Sequence, residues 1–87
     1  MAEVHLPTPL LPLFEELPRS LDVEAATVAD AIAELDSRWP GLRDRLVAAG
    51  PVLRPHINVY VDKERAGLDT ALADGSRVDV IAAISGG

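Results

Sequence analysis

One stretch of this sequence has a clear helical period, and it limits what the rest can fold into. Val28, Ile32, Leu35 and Trp39 recur at i, i+4, i+7 and i+11, a single apolar stripe along one side of a helix. Asp30, Glu34, Asp36 and Arg38 take the opposite side. Thr27 suits the N-cap, and Asp30 stands in the first turn, where free N–H groups and the helix dipole favour an acid. Pro40 pushes Trp39 out of helical geometry and ends the run. The stripe is packing surface, and a helix apolar on one side must bury that side against another layer.

The other apolar residues recur mostly with period two, so the second layer is a sheet. Residues 2–6 alternate with Val4 and Leu6 facing one way, and residues 19–24 do the same with Leu21 and Val23. Pro7, Pro9 and Pro12 lie between them and cannot donate to a ladder. Leu10, Leu11, Leu13, Phe14 and Leu17 hold that segment against the body, as a proline-stiffened hairpin connection. Residues 41–49 predict a short second helix, with Leu42 and Leu46 inward, Gly50 as its stop, and Arg43 and Arg45 on a solvated face. His56 to Asp62 is the strongest strand, placing Ile57, Val59 and Val61 in the core. Asp62 to Gly67 carries turn chemistry, Asp74-Gly75 is a second turn, and residues 77–83 form a closing strand with Val78 and Val80 inward. The order strand, strand, helix, short helix, strand, turn, strand is α+β: one main helix packed on a small mixed sheet.

A chain of 87 residues makes one small domain. With one Phe, one Trp and one Tyr, its core must be aliphatic. The absence of cysteine excludes disulfides, thiolate metal sites and a cysteine nucleophile. Eight Lys and Arg scattered among fourteen Asp and Glu give a net charge of −6, which argues against nucleic acid and favours a basic docking surface on a partner. No apolar run is long enough to cross a membrane, and no signal-peptide pattern opens the sequence, so the expected location is cytoplasmic.

A conventional active site is hard to assemble from these residues. His5 and His56 are the only histidines, each at an alternating strand position and better suited to a surface or strand edge than to acting as a base. Two histidines without a suitably spaced third ligand make a weak zinc case, and the Gly-Lys-Ser/Thr of a phosphate loop is absent. The chain is therefore not expected to be an enzyme, nor to bind a cofactor.

What remains is Ile84-Ser85-Gly86-Gly87, directly after the closing strand. Two glycines lose much freedom on ordering and have no side chain to pack, so residues 84–87 are expected to form a flexible tail on a domain of residues 1–83. Such a tail is a slim backbone bearing a carboxylate, able to enter a channel that side chains would block. Small terminal residues also occur by chance, so the pair takes its weight from what precedes it.

In order and spacing, several segments together resemble the β-grasp sulfur carriers, ubiquitin-like relatives of the molybdopterin-synthase small subunit and the thiamine-pathway carrier. They are Leu6-Pro7-Thr8-Pro9, Ala26-Thr27-Val28, Trp39-Pro40-Gly41-Leu42, Ile57-Asn58-Val59-Tyr60-Val61, Leu68-Asp69-Thr70-Ala71-Leu72-Ala73-Asp74-Gly75 and Ser85-Gly86-Gly87. The resemblance implies a β-grasp domain whose Gly87 carboxylate is adenylated with ATP by a ubiquitin-activating-type enzyme and then sulfurated to a thiocarboxylate. Ser85, Gly86 and Gly87 would thread into that enzyme, with Ile84 and neighbouring apolar strand residues docking at its mouth. The Leu-Pro-Thr-Pro opening is most similar to actinobacterial carriers for cysteine synthesis, which implies a sulfur-accepting biosynthetic enzyme and a metalloprotease that releases the product. Many relatives carry a proline where this chain has Ala82 and Ala83, which leaves tail stiffness and partner choice open. Three other roles stay open: the small subunit of molybdopterin synthase, a protein modifier joined through Gly87 to lysines, and an interaction module with an inert tail.

Overall fold

The computed structural model describes residues 1–83. Strand β1 (Ala2–His5) alternates as its pattern requires, with Ala2 and Val4 buried and Glu3 exposed. The proline segment that follows winds into a 3-10 helix (Thr8–Leu13), in which Leu10 N–H donates to the Pro7 oxygen at 3.0 Å and Leu10 is buried. Leu17 returns the chain to the core, and strand β2 (Ser20–Val23) pairs antiparallel with β1. The connection expected from the prolines is thus present, and it packs through its leucines.

Helix α1 (Val28–Arg38) starts and stops where its sequence signals lie. Thr27 Oγ1 accepts from Asp30 N–H at 3.1 Å. The amides of Val28 and Ala29, which an α-helix leaves without internal partners, donate to the Thr70 and Leu68 oxygens at 3.0 and 2.9 Å. Val28, Ala31, Ile32 and Leu35 are buried. Trp39 caps the end, and its indole N–H donates to the Glu15 oxygen at 3.0 Å, so the helix terminus is tied to the segment after the 3-10 turn.

Helix α2 (Leu42–Leu46) buries Leu42 and Leu46 as expected but is shorter than its pattern suggested. Val47 and Ala48 become strand β3, which pairs with β4 (Val52–Leu53) in a two-stranded hairpin. Gly50 is therefore not a helix stop. It sits in the hairpin turn at φ 120°, where a side chain would be strained.

Strand β5 (Ile57–Val61) buries Ile57 and Val59, while Val61, near the turn, is only partly covered. The charged stretch that follows is a second difference from expectation. Asp62 and Lys63 both take positive φ, 50° and 72°, and this tight turn folds β6 (Glu64–Ala66) back against β5. Strand β7 (Arg77–Ala82) then enters the middle of the sheet, whose order is β2-β1-β7-β5-β6. It runs parallel to β1, with Val4 opposite Val78, and antiparallel to β5, with Val59 opposite Val80.

The sheet is thus mixed, with α1 on one face. Leu35, Leu42, Leu46, Val4, Val23, Val28, Val59 and Val78 are the largest fully buried side chains, which makes the core aliphatic. Phe14, Trp39 and Tyr60 are all only partly buried.

Candidate functional site

The residues expected to carry chemistry follow β7, so the site is built outward from that strand. Its two neighbours hold it on both edges, and its side chains alternate: Val78 and Val80 enter the core, while Arg77, Asp79 and Ile81 lie on the face away from α1. The ladder continues one residue past the strand, where Ala83 N–H donates to the His56 oxygen at 2.7 Å. Ile84, Ser85, Gly86 and Gly87 lie outside the described residues.

Around this strand the outer sheet face is polar with one apolar point. Ile81 is 46% exposed and sits opposite Asn58, whose Oδ1 accepts from the Arg65 guanidinium at 2.8 Å. Asp79 lies between His5 and Tyr60 in the register. Its carboxylate takes two bonds from Arg77 Nε, both 3.1 Å, and that contact with the nearby negative charge makes the Arg77 guanidinium still harder to deprotonate. His5 Nε2 stands 3.0 Å from Glu3 Oε1 on the same face.

The opposite end of β7 is acidic. There the Met1 ammonium pairs with Asp74, holding that carboxyl below its ordinary range through the hydrogen bond and then the charge. A broad cleft of about 820 Å³ opens beside it, with Glu24, Asp30, Glu34 and Asp74 among its lining residues. Among the described residues, no three His, Asp or Glu converge as a metal site would require. No helix there is long and apolar enough to cross a membrane. His5 and His56 stay apart, and His56 is exposed.

Two features near Ala83 were not singled out in the sequence. Ile81 is an outward apolar residue on a strand whose neighbours Val78 and Val80 drew the attention. Arg45, Arg54 and His56 share one cleft. The antiparallel pairing of residues 57–61 with the closing strand could have revealed the second feature, because it sets His56 beside the end of β7. What the geometry offers is a strand anchored in the sheet centre, whose last described residue, Ala83, is tied to His56.

Comparison with known proteins agrees with this architecture. The model of the ThiS family matches residues 12–87. Small archaeal modifier protein 3 of Haloferax volcanii is 38% identical over 66 residues, covering 71% of each chain. Sulfur carrier protein CysO of Mycobacterium tuberculosis is 31% identical over 75 residues, 79% of this chain and 81% of that protein. A chain in the crystal structure of the Amycolatopsis orientalis BexX/CysO complex superposes with a TM-score of 0.87 at 32% identity, with all of both chains covered. The match runs through nearly the whole domain and includes the residues after β7: the chain belongs to the ThiS family and has its ubiquitin-like β-grasp fold.

Proposed function

We propose that this chain is a sulfur carrier and that the Gly87 carboxylate is its reacting group. A carboxylate is a poor electrophile and must first be activated. A separate enzyme of the ubiquitin-activating type brings ATP. A Gly87 oxygen attacks the α-phosphorus, the new O–P bond forms and pyrophosphate leaves. Hydrosulfide then adds to the acyl carbon, the C–O bond to AMP breaks, and a proton is released as the thiocarboxylate forms. That thiocarboxylate donates sulfur to a biosynthetic acceptor, for cysteine or another sulfur-containing metabolite. The chain contributes the recognition surface and the tail, and ATP is used by the partner.

The observation that carries this reading is the family match, which continues through Ser85, Gly86 and Gly87 and is accompanied by similarity to proteins named sulfur carriers. The central position of β7 supports it, because the residue from which the tail departs is held in the sheet by neighbours on both sides. The test is the intact mass of the protein after incubation with ATP, sulfide and the cognate activating enzyme. Exchange of one oxygen for sulfur is expected, with labelling by a thiol-alkylating reagent in a chain that has no cysteine. An unchanged mass would overturn the proposal. Similarity to small archaeal modifier protein 3 favours a second reading, in which Gly87 is joined to lysines of other proteins. Higher-mass adducts that survive thiol reagents would establish it.

A further inference from the structure

The end of β7 meets a basic corner on a molecule whose net charge is −6. Arg45 of α2 lines one cleft of about 330 Å³ with Arg54 and His56, from the connection between β4 and β5, and with Asp44. The closing strand touches this corner through Ala83 N–H and the His56 oxygen. Two other arginines are neutralised locally, Arg38 by Glu34 at 3.3 Å and Arg77 by Asp79 at 3.1 Å. Arg19, Arg43 and Arg65 form no ion pair among the described residues but do not share a cleft with a second arginine. Among the described residues Arg45 and Arg54 form no such pair, and Asp44 pairs with neither of them. Arg54 instead donates its Nε–H to the Asp44 backbone oxygen at 2.6 Å. That bond uses one of five guanidinium donors and fixes the fork, leaving the four Nη hydrogens for a ligand.

We propose that this corner docks the carboxylates of an acidic segment on the partner that receives the tail. A planar carboxylate matches a pre-set guanidinium fork with two parallel hydrogen bonds. Arg45 and His56 beside it make a short acidic segment a better fit than a long polyanion, which would also meet the acidic remainder of the surface. The partner then carries both signs of charge, acidic here and basic elsewhere, and a two-signed surface fixes one orientation of approach. The identity of the partner rests on the carrier reading; the carboxylate chemistry of the corner does not.

The first test is a titration of the ¹⁵N-labelled chain with acetylated hexaglutamate at low salt, with hexalysine as control. Shifts are expected at Arg45, Arg54, His56 and Ala83, with affinity falling about fivefold in Arg45→Glu and kept in Arg45→Lys. Shifts spread evenly over Arg19, Lys63 and Arg65, or an affinity unchanged in Arg45→Glu, would overturn the proposal. The second test uses the activating enzyme: Arg45→Glu should raise KM for the carrier and leave kcat unchanged. An unchanged KM would remove the corner as a docking site. Failure of the unmodified chain to be activated at all would count against the carrier reading instead, and the peptide titration would still decide the corner.

Discussion

Substitutions at Gly86, which lies outside the described residues, and at Thr27, the N-cap of α1, should register in different measurements. If Gly86 lies in a partner's channel, a side chain there obstructs entry and disturbs no packing. Gly86→Val is expected to abolish activation while changing stability by less than about 0.5 kcal/mol, the range of surface substitutions. One extra residue after Gly87 should do the same, because it moves the carboxylate away from ATP. Normal thiocarboxylate formation by the extended chain would remove Gly87 from the mechanism. Thr27 works within the fold, through the bond its hydroxyl accepts from Asp30 N–H. Thr27→Ala should cost about 1 kcal/mol in denaturant unfolding and leave activation intact.

Elements differ in how plainly their sequences announce them. Helix α1 was legible because its stripe, its cap and Pro40 all agree, and β5 because five residues alternate without a break. Strand β6 was not, because Glu64, Arg65 and Ala66 have no apolar face; the tight turn at Asp62 and Lys63 brings it onto β5. Residues 47–50 misled for another reason: Val47 and Ala48 continue an apolar period that fits a helix, and only pairing with Val52 and Leu53 makes them a strand. The candidate tail was visible as a pattern, whereas the corner of Arg45, Arg54 and His56 depends on strand pairing that no local window contains. Trp39 shows the same limit, since its place in the stripe was evident but its bond to Glu15 was not. Trp39→Phe keeps an aromatic ring but loses the indole N–H and its 3.0 Å bond, which is expected to cost about 0.5–1.5 kcal/mol before any loss of packing. Hydrogen exchange should quicken at the Phe14 and Leu17 amides, which hold the segment joined to Trp39. Unchanged protection there would show that the segment is held by its leucines alone.

For the molecule as a whole, small size magnifies each core contact. Leu35 is fully buried beneath α1, and Leu35→Ala should cost about 2–5 kcal/mol. In a domain of this length 1 kcal/mol moves the melting temperature by about 4–8 °C, so a fall on the order of 10 °C or more is expected in a calorimetric scan. The parallel pairing of β1 with β7 has a mechanical consequence. Pulled between residues 1 and 83, the two strands slide along each other, and their evenly spaced bonds share the load together. Pulled between residues 2 and 76, near neighbours at the same end of the pair, they peel apart one bond at a time. Single-molecule stretching should therefore record a higher rupture force for the first attachment than for the second, and a domain held at residue 1 and tugged from the far end of β7 would stay folded until this strand pair itself ruptures.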